Sequence, residues 1–164
     1  MHPSARGYTP SVFTQIPKLL ERVGTVENKG SVTGIYNVLV EGDDMNEPIG
    51  DTVRSIVDGH IELSRTLAHR GHYPAIDLLT SISRVMKEII DQEHLALAKK
   101  MIQILSTYRD AEDLIHIGAY ADGNDPEIDF AIKMIGRINE FLRQEIYQKV
   151  TFQESVDQLK SLFS

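Results

Sequence analysis

The stretch from His72 to Met86 (His-Tyr-Pro-Ala-Ile-Asp-Leu-Leu-Thr-Ser-Ile-Ser-Arg-Val-Met) holds the residue types with the clearest chemistry in the chain. Arg84 is a single cation after a small polar run, Thr80-Ser81-Ile82-Ser83. A guanidinium so placed can reach across a subunit boundary to a phosphate, where its planar fork fits the oxygens in a way lysine does not. On spacing alone the plainer reading is a surface salt bridge, which contributes little. Tyr73 precedes Pro74, whose ring pushes Tyr73 out of the helical region and puts an aromatic side chain on a turn.

Other candidates carry less. Asp43, Asp44, Asn46 and Glu47 make an acidic loop before Pro48, for which a solvated turn is the default reading. No Gly-x-x-x-x-Gly-Lys-Ser/Thr occurs, so the loop that cradles phosphates with backbone amides and a lysine is not in this sequence. Gly30-Ser-Val-Thr-Gly34 has no lysine in the needed place and reads as a turn into a strand. Val38-Leu-Val-Glu-Gly-Asp43 imitates an apolar strand ending in a magnesium-holding acid. His60, His69, His72 and His94 follow no metal-ligand spacing and read as structural or exposed, and no metal site is expected.

The elements that must position these groups fall into two halves. Thr9-Pro10 is a helix start, followed by Val12, Ile16, Leu19, Leu20 and Val23 at helical spacing, with Pro17 expected to kink or divide the helix. Ser31 to Val40 alternates and is rich in β-branched residues, which predicts a strand. Pro48 opens a helix that stops by Gly59, His60–Ser64 predicts a short strand, and Arg65–Arg70 a helical turn closed by Gly71. Ala75-Ile-Asp-Leu-Leu79 fits a buried strand or part of a helix. This alternation suggests a parallel sheet with crossover helices.

Beyond Arg84 only helical patterns remain. Ile90, Leu97, Met101, Ile104, Leu105 and Tyr108 form one stripe; Asp125-Pro126 caps another, running from Ile128 to Leu142. Thr151 to Glu154 is a capping box ahead of Phe152, Val156, Leu159 and Phe163. The predicted boundary lies near Met86–Lys87.

Composition narrows the function classes. The net charge of −7 argues against general nucleic-acid binding, which needs a basic footprint. The absence of cysteine excludes disulfides and thiolate metal sites. No run of eighteen apolar residues suggests a membrane span, and the first residues lack the apolar core of a signal peptide.

His72–Met86, together with Glu41–Pro48 and Asp58–Arg65 in the same order, resembles the end of the catalytic core of the flagellar and type III secretion export ATPases, relatives of rotary F-type ATPase subunits. The resemblance runs from about Arg6 to Phe163 and covers only the last part of the family's length, as a fragment would. It implies an α/β fold: residues 1–86 as the C-terminal portion of a RecA-like P-loop core, and residues 87–164 as an all-α helical domain. Arg84 then corresponds to the arginine finger that acts on the neighbouring subunit's nucleotide. Tyr73 corresponds to an aromatic ring against adenine. Phe152 corresponds to a second adenine-pocket aromatic, although Glu145-Ile-Tyr departs from the F-type pattern and core packing is an equal reading. Asp43, Asp44, Asn46 and Glu47 correspond to the loop that faces the ring's central hole.

The resemblance further implies a cytoplasmic homohexamer, peripheral at the inner membrane, that uses ATP and Mg2+ to drive export, with Ile117-Gly-Ala-Tyr120 nearer the flagellar type. Its expected partners are a coiled-coil stalk protein of the FliJ kind, export chaperones, cargo and the export gate, and no nucleic acid. The chain alone is expected to bind no nucleotide tightly and not to hydrolyse ATP. The alternative is a non-catalytic module that docks chaperones, cargo or the stalk.

Overall fold

The computed structural model describes residues 9–40, 42, 44 and 47–164. Two compact units divide between His60 and Ile61.

In the first unit, helix α1 (Pro10–Leu20) begins with Thr9 at the N-cap position. The Thr9 hydroxyl bonds that of Ser11 (2.7 Å) and caps no amide. The helix continues through Pro17 without dividing. Strands β1 (Gly24–Val26) and β2 (Gly30–Val32) form an antiparallel hairpin pairing Gly24 with Val32 and Val26 with Gly30. Asn28 turns the corner at φ 61°, a left-handed conformation that asparagine tolerates. Helix α2 (Pro48–Ile56) has Pro48 in its first turn, where the missing N–H costs nothing, and packs against α1.

The strand expected over 31–40 ends at Val32, and 33–40 has no regular structure. Ile35 and Leu39 are 95% and 90% exposed. Alternation makes a regular strand only where a neighbour pairs its backbone; Tyr36, Val38 and Val40 are half-buried on one side of the segment, but among the described residues no strand pairs with it. Among the described residues the strands form two sheets of two strands each rather than one larger sheet.

In the second unit, strand β3 (Gly59–Leu63, its first residues lying at the division) pairs with β4 (Ile76–Ser83). Between them lies α3 (Arg65–His69), capped by Ser64, whose Oγ accepts from the Leu67 N–H. Gly71, at φ +67°, ends the turn in the conformation glycine adopts at least cost. The short α4 (Met86–Ile89) leads to α5 (Gln92–His116), whose N-cap Asp91 accepts from the His94 N–H.

Helix α6 (Pro126–Leu142) has the expected Asp125-Pro126 start: Asp125 Oδ1 accepts from the Glu127 and Ile128 N–H groups. Ahead of it, the Tyr120 hydroxyl donates to Asp129 (2.7 Å); burial first, and this bond second, push the phenol pKa up. Helix α7 (Phe152–Leu162) carries the full capping box between Thr151 and Glu154.

Met101 and Ile104 of α5, Ala131, Met134 and Ile138 of α6, and Leu159 and Leu162 of α7 form the core. Leu78 of β4 packs on the same cluster. Among the described residues no helix is long and apolar enough to cross a membrane.

Candidate functional site

Arg84 follows the last residue of β4 and precedes α4, and it is exposed. Its strand is held firmly. Leu78 packs on the helical core, Asp77 pairs with Arg109 of α5 (3.1 Å), and Ser81 Oγ donates to the Asp77 carbonyl (2.6 Å) while accepting from the Glu62 N–H. An exposed guanidinium on the end of a fixed strand can engage a group supplied from outside.

Tyr73 sits on the connection between α3 and β4, joined to Pro74 by a cis bond, and is 57% exposed. Its carbonyl accepts from the Gln144 N–H (3.0 Å), just beyond the end of α6. His72 is 5% exposed, and its backbone N–H donates to the Leu67 carbonyl. Burial first, and the Arg143 guanidinium second, hold the His72 ring below the usual imidazole range.

The structure thus sets Tyr73 beside the turn that begins at Gln144 and holds the Glu145-Ile-Tyr departure from the F-type pattern. Gln144 Nε2 donates to the Gln148 carbonyl, and the Glu145 N–H donates to Gln148 Oε1. The same turn lifts Ile146 and Tyr147 into solvent, 91% and 93% exposed. Their signal in the sequence is two large apolar residues close to glutamines, outside every helical stripe.

Phe152 begins α7, is 71% exposed and lies against the His94 ring (centroids 5.9 Å apart). It is therefore not a core residue of the last helix, one of the two readings its spacing allowed. In the acidic loop, Asp43 and Asn46 lie outside the described residues. The Asp44 carbonyl accepts from the Glu47 N–H (2.9 Å). Glu47 is buried at the head of α2 and Asp44 half-buried. Among the described residues no three His, Asp or Glu side chains converge on a position for a cation.

The comparisons agree along the whole chain. Residues 1–83 match the nucleotide-binding domain of the ATP synthase alpha/beta family, and residues 90–161 match the C-terminal domain of the type III secretion ATPase EscN. The flagellum-specific ATP synthase of Bacillus subtilis (strain 168) is 52% identical over 98% of this chain, which spans 36% of that relative's length. Among solved structures, the assembled ATPase EscN of the enteropathogenic E. coli type III secretion system superposes with a TM-score of 0.91, at 46% identity, over 99% of this chain and 39% of that one. EscN in complex with its central stalk EscO gives 0.84 at 44% identity, over 96% of this chain and 37% of that one. With its β3–α3–β4 segment followed by three packed helices, the chain belongs to the ATP synthase alpha/beta family, in the branch of the flagellar and type III secretion ATPases.

Proposed function

We propose that this chain is the C-terminal part of an ATPase subunit that assembles into a homohexameric ring and couples ATP hydrolysis to flagellar or type III protein export. The observation that carries this reading is Arg84, exposed on the end of a braced strand, in a chain that follows the assembled EscN backbone over nearly its full length. Arg84 acts in trans: it lays its guanidinium on the neighbouring subunit's γ-phosphoryl group and stabilises the charge that develops there. Tyr73 offers its ring to the adenine base, with Phe152 as a second aromatic.

Residues 1–86 then serve the nucleotide-binding core and residues 87–164 the helical domain. Asp43, Asp44, Asn46 and Glu47 contribute to an acidic collar in the ring's hole, which attracts a basic coiled-coil stalk. Of the two described acids, Glu47 is buried and Asp44 half-buried. Chaperones, cargo and the export gate meet the helical domain, at the cytoplasmic face of the inner membrane. The chain lacks a phosphate-cradling loop, and alone it turns over no ATP.

Two measurements test this. The isolated chain, at high concentration with ATP and Mg2+, shows no turnover above a mock-purified control; turnover above it would reveal a phosphate site within these residues. In a full-length subunit carrying this segment, Arg84→Ala lowers kcat by about 10³-fold or more, the scale of an arginine finger, and Arg84→Lys does not restore it. Unchanged turnover in Arg84→Ala would favour the second reading, a non-catalytic module docking the stalk, chaperones or cargo.

A further inference from the structure

The Tyr73 turn has a hidden neighbour. His72 sits at a three-way junction of the α3–β4 connection, α5 and the end of α6. Its main chain is tied back to Leu67, and the next carbonyl, that of Tyr73, is held by the Gln144 N–H. A cavity of about 430 Å³ opens beside it, with an apolar floor that includes Leu67, Leu105 and Leu142.

The charged groups around this junction come from every element packed there. Arg70, at the end of α3, is paired with Glu112 of α5 (2.6 Å), and Arg109 of α5 is paired with Asp77 of β4 (3.1 Å). His116 of α5 lines the same cavity, and Arg143 stands at the end of α6. Glu112 and Asp77 are thus already engaged by guanidinium groups, and the cation acting on His72 is Arg143. An imidazolium formed here would be desolvated and placed beside like charge.

We propose that His72 is a positioning residue for Tyr73: as a neutral, buried ring it pins the Tyr73 turn to Gln144 at the end of α6, and a proton on that ring releases the pin. The inference deepens the reading of Tyr73 as a base platform and rests on it for its functional meaning. The structural half stands on the junction alone.

The direction follows from linkage. With the ring's pKa depressed in the fold, the unfolded or opened chain takes up the proton first. The pin has its full strength above the ordinary imidazole value of about 6.5 and weakens as pH falls below it.

The first test uses this chain. The His72 ring and the Gln144 amide are followed by NMR and hydrogen exchange between about pH 5.5 and 7.5, within reach of imidazole titration. Protection at Gln144, corrected for intrinsic exchange, is expected to fall on acidification, by at most about tenfold per pH unit, the limit for one proton. The fall is expected to disappear in His72→Gln and to persist in His116→Gln, the control for the other imidazole of the cavity. Gln144 protection independent of pH in the unsubstituted chain, or the same fall in His72→Gln, overturns the proposal. Where His72→Gln does not fold, the unsubstituted chain decides: a fall in Gln144 protection that begins well above about pH 6.5, or continues below the pH at which the folded His72 ring is fully titrated, refutes the pin.

A second test separates this from the nucleotide reading. In the full-length subunit, KM for ATP is expected to rise on acidification while kcat is held, and His72→Gln to flatten that profile. A Gln144 response without any KM response keeps the pin and removes Tyr73 from the base site.

Discussion

Two isoleucines mark the contrast between two regions of this protein. Ile138, on α6, is 0% exposed, whereas Ile35, in the irregular segment after β2, is 95% exposed. The helices α5 to α7 meet one another along continuous apolar stripes, so each side chain removed from water finds a packed partner. Residues 24–40 carry just as regular a pattern of Val, Ile and Leu, yet Val26 and Val32 are more than half exposed, and Leu39 nearly fully so. An apolar pattern stabilises only where a second surface receives it. The helical region supplies that surface to itself; among the described residues of the segment after β2, Tyr36, Val38 and Val40 are only half-buried and the rest are exposed.

The sharpest way to break this contrast is to empty the helical core. Ile138→Ala should destabilise the chain by about 3–4 kcal/mol, the cost of a truncated aliphatic side chain with a cavity left behind, read from denaturant midpoints at unchanged m-value. A loss under about 1 kcal/mol would mean that the α5–α7 core is far looser than its burial indicates.

The helix starts come next. Asp125→Ala removes the side-chain acceptor from two amides at the head of α6 and should cost about 1 kcal/mol. Thr151→Ala should cost a similar amount at α7. The hydrogen bonds from Thr151 hold the Glu154 carboxyl below its usual range, so the cap's contribution is complete above the ordinary carboxylate value. It fades as pH falls through the depressed one. A pH titration of stability should therefore show an acid-side loss that is smaller in Thr151→Ala; parallel curves would remove the charge from the capping argument.

At the small end, Ile35→Ser should change stability by less than about 0.5 kcal/mol, as substitutions at exposed positions do. A clear loss there would show that the segment after β2 is covered in solution, and the contrast between the two isoleucines would disappear.

Local chemistry is legible along the chain itself. The Asp125-Pro126 start and the Thr151–Glu154 box lie within three or four residues of the amides they satisfy, so residue type and spacing suffice. The Gly71 stop, the Pro48 start and the long stripes of α5 and α6 are local in the same sense. The family, too, is legible, because three motifs fall in order along the chain.

Every pairing across distance belongs to the tertiary structure. Nothing in the sequence tells that Leu78 of β4 joins the helical core, that Asp77 meets Arg109 thirty-two residues on, or that Gln144 takes the Tyr73 carbonyl. Nor does alternation over residues 31–40 reveal that, among the described residues, no strand pairs with residues 33–40. The sequence by itself determined where helices start and stop and which side chains need burial, since those depend on backbone hydrogen bonds a turn apart. Only the folded chain decided which surfaces meet, because packing chooses among many apolar stripes that look alike along a line.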